Sequence, residues 1–263
     1  MFISPARGEA LSFRQRLTWG AHLFKALFYQ YHTEFAECVA PFLPEDGIIV
    51  DVGAHSGQFA KLFSRLVPKG KVYAFEPGGY ALSILRPVIK LRRLKNVTLA
   101  SLGLSDEEGQ EVLSAPLKKR GTVGFGLAHI GPESRGVALA HEIRLVTLDS
   151  FMAGEDLRRL DLIKVDIEGW EVRCLRGAIG TIEQFRPMIL VEVTEETLGR
   201  VGHSAEEIFD MLAPFGYRIF KLHQNGRCEM EEVEAFTGGA DYFFIPKAHA
   251  GFAGRTIDGP AQL

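Results

Sequence analysis

The 263-residue sequence is poor in cysteine: Cys38, Cys174 and Cys228 stand far apart and form no Cys-x-x-Cys pair. They read as reduced, mostly structural thiols of a cytoplasmic protein. No apolar run approaches a membrane span, so no integral membrane association is expected. Near the N-terminus Arg14, Arg16, His22 and Lys25 interrupt every hydrophobic stretch, and no signal peptide is expected there. Neither sign of charge dominates, the net being −3, which argues against a dominant nucleic-acid footprint. Internal repeats and low-complexity segments are absent as well.

What remains is an ordinary globular composition, 46% hydrophobic and 24% charged, in a chain long enough for one large α/β domain. Leu17, Phe24, Phe28, Tyr31 and Phe35 follow helical spacing and predict an N-terminal helical segment, residues 1–46, packed on the domain, with a membrane-surface helix or a lid over the active site as the alternatives. The body, residues 47–247, alternates strands and helices, and residues 248–263 form a tail. Apolar runs predict strands at Ile48 to Val52, Lys71 to Phe75, Val97 to Leu102, Leu162 to Ile167 and Met188 to Val193. Phe59, Leu62, Phe63 and Leu66 mark a first intervening helix. A second runs to about Leu94 with Pro87 kinking it. Val172, Leu175, Ile179 and Ile182 mark a third, and Ser204 with Glu207 caps a fourth. Tyr217 to Leu222 and Tyr242 to Ile245 read as a closing hairpin. The stretch from Lys118 to Gly136, rich in glycine and without periodicity, reads as an irregular inserted loop. Such alternation implies a mostly parallel sheet covered on both faces, with ligands at the carboxyl ends of its strands.

The turn after the first strand reads Asp51-Val-Gly53-Ala54-His55-Ser-Gly57. Two glycines there let a ligand lie against the main chain. A nicotinamide site would carry Gly-x-Gly-x-x-Gly; this turn lacks it and leads with a carboxylate, a poor neighbour for pyrophosphate and a good one for a cationic ligand. The second strand ends in Glu76, placed to accept both hydrogen bonds of a ribose diol. A solvated strand-end carboxylate is the plain alternative. Ser101 and Leu102, at the third strand's end, are candidates to line an adenine. The fourth strand reads "LDLIKVDIEGWEVRCLRGA", in which Lys164, Asp166 and Glu168 alternate and so share a face. Charges beside a buried strand are costly unless paired or used, so a structural Lys–carboxylate network competes with a functional site.

The segments "VDVGAHSGQF", "VYAFEP", "LDLIKVDIEGWEVRCLRGA" and "RPMILVEV", in that order, resemble the FkbM-type family of S-adenosylmethionine-dependent methyltransferases over roughly Gly47 to Val193. The resemblance implies a class I methyltransferase (Rossmann-like) fold, a seven-stranded, mostly parallel sheet whose last strand is antiparallel, with helices on both faces. It implies O-methylation of a hydroxyl on a small molecule, sugar, glycan or natural product. By matching motifs, Asp51 to Gly57 would hold the methionine end of the cofactor and Glu76 its ribose. Asp166 and Glu168, beside Lys164, would face the methyl-transfer site. His55 stands where the family more often has Asn.

A hydroxyl nucleophile must lose its proton, and Asp166 is the first candidate base, with His129 and His141 as alternatives. A divalent metal on Asp166, Glu168 and Glu192 could acidify the hydroxyl instead, but no diagnostic spacing supports it, and no metal site is assigned. Two other functions compete: an NAD-dependent oxidoreductase on a similar sheet, and a non-catalytic protein that keeps the cofactor fold for binding. Oligomeric state is not legible.

Overall fold

The computed structural model describes residues 13–116, 129–131, 138–224 and 228–249. Two helices lead in, α1 (Phe13–Phe28) and α2 (Glu34–Val39). The first half of the sheet follows as β1 (Ile48–Val52), α3 (Gln58–Leu66), β2 (Lys71–Phe75), α4 (Gly79–Leu91, with Pro87 inside it) and β3 (Val97–Ala100). A second sheet comes next: β4 (Gly103–Leu104), β5 (Gly109–Pro116), β6 (His129–Ile130) and β7 (Ala138–Val146). The chain returns through α5 (Leu148–Ala153) to β8 (Leu162–Val165), α6 (Glu171–Arg176), α7 (Ile179–Phe185), β9 (Met188–Val193), α8 (Glu195–Arg200) and α9 (Ala205–Leu212). It closes with β10 (Tyr217–Gln224), β11 (Cys228–Val233) and β12 (Ala240–Pro246).

The main sheet has the order β11-β10-β12-β9-β8-β1-β2-β3. Strands β9, β8, β1, β2 and β3 are mutually parallel, and β12 runs antiparallel to both β9 and β10. This is the class I methyltransferase arrangement, with one correction: the sheet has eight strands, not seven. The extra strand is β11, which folds back on β10. Its sequence, CEMEEV, has too few apolar residues to announce a strand; backbone pairing to β10 holds it there. The expected hairpin is corrected accordingly: β10 and β12 do pair, but β11 lies between them in the chain.

Apolar side chains alternate across the parallel strands and fill both faces. Val50, Val52, Ile163 and Val165 enter one core, whereas Ile49, Val72 and Leu162 enter the other with Phe63. The expected single helix after β8 is two short helices, because the chain breaks at Gly177, where a side chain would collide with the Ser105 carbonyl. The capping box of α9 is present, with Ser204 N–H donating to Glu207 Oε1 at 3.0 Å.

The stretch expected to be an irregular insertion is flanked by the paired strands β5 and β7, which run antiparallel from Gly109↔Leu145 to Pro116↔Ala138. Residues 117–128 and 132–137 of that stretch lie outside the described residues, and so does most of the 248–263 tail. Leu113, Ile130, Ile143 and Leu145 turn inward onto Trp170, which ties the small sheet to the loop after β8.

Two N-terminal expectations change. Phe35 belongs to α2, not to the first helix, and is buried there. The stripe Leu17, Phe24, Phe28 and Tyr31 is exposed, while α1 packs on α4 through the opposite side: Trp19 Nε1 donates to Ser83 Oγ at 2.9 Å, and Ala26 is buried against Ile84 and Val88. The thiol reading is corrected too, since Cys38 of α2 and Cys228 of β11 form a disulfide, and only Cys174 is free. The cytoplasmic expectation rested on reduced thiols and loses that support. Among the described residues no helix is long and apolar enough to cross a membrane.

Candidate active site

The strand order reverses at β1, with β2 on one side and β8 on the other, so the carboxyl ends of β1 and β8 flank the crevice where such sheets bind ligands. A cleft of about 480 Å³ opens there. Its floor is the turn after β1. Gly53 has φ 79° and Gly57 φ 85°, conformations that favour glycine, and a side chain at Gly53 would strike the Asp166 carbonyl. Gly53, Ala54 and His55 line the cleft; Gly57 caps α3 just behind it.

Glu76 closes one side. Its Oε2 accepts from His55 N–H at 2.8 Å and its Oε1 from Gly78 N–H at 2.7 Å, which clamps the turn after β1 to the turn after β2. Burial pushes this carboxyl up to about 7, against the pull of those two amides.

Beneath the floor, Asp51 and Lys164 are register partners across β1 and β8, and both are buried. The Lys164 ammonium lies 3.0 Å from Asp166 Oδ2 and 3.7 Å from Asp51 Oδ1, and 4.6 Å over the Phe59 ring. Neither Asp51 oxygen has a hydrogen-bond partner among the described residues. Burial raises the Asp51 carboxyl to about 6, with Lys164 opposing.

Asp166 and Glu168 follow the end of β8 and both line the cleft with Lys164. Across from them, Glu192 of β9 hydrogen-bonds Asp166. Despite burial, Asp166 lies below the ordinary carboxylate range because Lys164 and the Glu192 hydrogen bond favour its ionised form. Glu192 is pushed up to about 8 by burial and the Asp166 charge. The two acids therefore share one proton at neutral pH, with Glu192 holding it. Among the described residues no cluster of three His, Cys, Asp or Glu side chains is arranged to hold a metal ion.

The loop bearing these groups is strained and tied down. Glu168 has φ 54° and Gly169 φ 104°. Glu171 Oε1 accepts from Ile167 N–H and Gly169 N–H, each at 3.1 Å, so this buried carboxylate fixes the turn that aims Asp166 and Glu168. Sequence reasoning passed over Glu171, although it sits in the same Glu-Gly-Trp-Glu run.

Other expectations fall elsewhere. Ser101 is exposed and receives Arg86 at 2.9 Å, and Leu102 packs against the core; neither lines the cleft. His141 does line it, but its Nε2 accepts from Gly79 N–H at 3.2 Å and the ring hydrogen-bonds Pro77, so it serves to join β7 to the β2–α4 turn. The side chain of His129 lies outside the described residues. Two cleft residues had no sequence signal. His32, between α1 and α2, stacks on Phe59 at 5.0 Å, and burial lowers its pKa. Tyr80 approaches from α4.

A family model described as the methyltransferase FkbM domain matches residues 51–219. Methyltransferase 1 of Beauveria bassiana is 31% identical over 154 residues, covering 53% of this chain and 61% of that protein. The AMB antimetabolite synthetase AmbE of Pseudomonas aeruginosa is 27% identical over 214 residues, 67% of this chain but 10% of that protein. The 2-O-methyltransferase NoeI of Sinorhizobium fredii is 25% identical over 180 residues, 65% of this chain and 72% of NoeI.

Proposed function

The chain belongs to the FkbM family of methyltransferases, and from that premise we propose that it methylates a hydroxyl oxygen of a small-molecule or glycan acceptor. The observation that carries this reading is the Asp166–Glu192 pair beside Lys164, a built proton acceptor at the cleft floor. A relative named as a 2-O-methyltransferase supports the choice of oxygen.

The residues fit S-adenosylmethionine. Gly53 leaves open main chain at the floor, and Glu76 keeps a second acceptor position on each oxygen for a ribose diol. The Asp51 carboxylate, without a hydrogen-bond partner among the described residues, adds negative potential under the same turn. When bound, the cofactor supplies a methyl group already activated by a sulfonium. The protein's task is then to hold a hydroxyl in line and take its proton. Asp166 accepts that proton as the oxygen forms its bond to carbon. Lys164 and the Glu192 hydroxyl hold Asp166 ionised and oriented beforehand. Phe59, His32 and Tyr80 add ring surface to the cleft wall, where an acceptor could stack.

Calorimetry with S-adenosylhomocysteine and with NAD, followed by label transfer from methyl-tritiated cofactor to a panel of hydroxylated acceptors, tests the reading. S-adenosylhomocysteine binding without NAD binding, and label in an alkali-stable ether, are expected. Label found on nitrogen or carbon, or binding of NAD alone, would sink it.

A further inference from the structure

Helix α1 presents to solvent the stripe that its sequence pattern would have buried. Phe24, Phe28, Tyr29 and Tyr31 are 54%, 68%, 54% and 46% exposed. They form one continuous cluster, with ring centroids 4.8 Å apart for Phe24–Phe28, 6.3 Å for Phe24–Tyr29 and 6.4 Å for Tyr29–Tyr31. Leu17 extends it one face-repeat back along the helix. The stripe is held outward, because Trp19 and His22 bond Ser83 and Tyr80 on the other side.

Cations prevail in the stretches that form α1 and α4, and the first acid after the cluster is Glu34. No Asp or Glu occurs between Glu9 and Glu34, nor between Glu76 and Asp106. Helix α4 and the turn after it, on which α1 packs, expose Arg86, Lys90, Arg92, Arg93 and Lys95. The cations reach the aromatic end of α1. Lys61 of α3 donates to the carbonyls of Ala26 and Tyr29, at 2.6 and 2.7 Å, and its ammonium is lowered to about 8 by burial and by the nearby Arg92 and Arg65. In a chain of net charge −3, the exposed rings of α1 thus lie in an acid-free stretch that also exposes Arg16 and Lys25, with further exposed cations on the neighbouring α4.

We infer that this face docks on an anionic lipid surface, with Phe24, Phe28, Tyr29 and Tyr31 entering the interface and the exposed cations of α1 and of the end of α4 meeting the headgroups. Exposed aromatic and aliphatic groups beside cations on a helix lying along the surface are what such an interface takes up. A second copy of the chain would bring the same cations face to face, which opposes self-association through it. Leu17 and the phenylalanines match hydrocarbon and offer a nucleic acid no hydrogen bond. The face adjoins the active cleft: Tyr31 N–H donates to Gln58 Oε1 at 3.1 Å, and both Gln58 and the next residue, His32, line the cleft. Resting on the methyltransferase reading, this makes the acceptor an amphiphile presented at the membrane.

Sedimentation of the full chain with phosphatidylcholine vesicles, with and without phosphatidylserine, tests the surface. Binding is expected only to the anionic vesicles and should weaken with added salt. It should fall by roughly fivefold for each cation removed, read from R92Q and R93Q, and disappear in F24S/F28S. Calorimetry of F24S/F28S with S-adenosylhomocysteine should be unchanged, which separates docking from folding and from the cofactor site. Equal sedimentation with and without anionic lipid overturns the inference. So does binding of a single-stranded oligonucleotide in place of vesicles, or a dimer that F24S/F28S dissolves while vesicles are ignored. Vesicle binding without S-adenosylhomocysteine binding would keep the surface and remove only the methyltransferase reading of the cleft.

Discussion

Lys164 stands in register with Asp51 across the two central strands, its ammonium 3.7 Å from a buried carboxylate that accepts no hydrogen bond among the described residues. The same ammonium lies 3.0 Å from Asp166, so one cation balances two acids. Removing one partner of a buried charge group leaves the others uncompensated, at a cost of about 3–5 kcal/mol. Lys164→Met should therefore lower stability by about that amount at neutral pH, and by less near pH 5, where the acids can protonate. Equal loss by denaturant unfolding at both pH values would show that packing, not charge, is at stake.

Asp166→Asn keeps the shape of the proposed base and removes its proton affinity. It should lower kcat by on the order of 10²–10⁴-fold while S-adenosylhomocysteine affinity stays nearly unchanged. Full turnover of the variant with a true acceptor would leave these carboxylates a structural role only.

The pH profile should report the pair. Glu192 holds its proton until about pH 8, and while it does, Asp166 is the weaker base. Turnover should rise as pH approaches 8, and Glu192→Gln, which cannot ionise, should remove that rise. A profile identical in wild type and E192Q assigns the ionisation to another group.

Cofactor affinity should carry a separate pH dependence. Glu76 titrates at about 7 in the free protein, and a ribose diol donates to its ionised form. Affinity for S-adenosylhomocysteine should thus climb between about pH 6 and pH 8, by up to tenfold per unit below the carboxyl's pKa. Glu76→Gln should bind weakly at every pH. A wild-type affinity that is flat across this range removes Glu76 from the ribose.

Stability should fall as pH rises over part of the same range. Asp51, Glu76, Glu171 and Glu192 are raised to about 6, 7, 7 and 8, so the folded chain keeps protons that the unfolded chain releases above about pH 4.5. With more protons bound to the native state, unfolding becomes easier with increasing pH. His32, His141 and His249, lowered in the fold, act the opposite way below about pH 6.5, and Lys61, lowered to about 8, does so from a little below pH 8 upward, so the clean window is about 6.5 to 7.5. Melting temperature should decline there in the ligand-free protein, and less steeply in E192Q. A rising melting temperature would contradict these shifts.

The local sequence determined the parallel half of the sheet and the approach to the cleft. Short, β-branched apolar runs such as IIVDV and MILVEV, bounded by turn residues, read as buried strands, and a glycine turn following Asp51 suits close approach of the main chain to a neighbour. Lys164, Asp166 and Glu168 were also legible as a group, because two-residue alternation is a local property. Tertiary structure alone decided which acid keeps a proton, since Glu192 meets Asp166 only when β9 lies beside β8. It likewise decided the Cys38–Cys228 bridge, whose partners are 190 residues apart, and the entry of His32 into the cleft. The outward turn of Phe24 and Phe28 belongs with these. Periodicity shows that a helix has an apolar face, and α1 has two; which one meets the protein was settled by Ala26, Trp19 and His22 fitting against α4. Contacts between segments distant in the chain depend on distances that residue type and spacing do not encode.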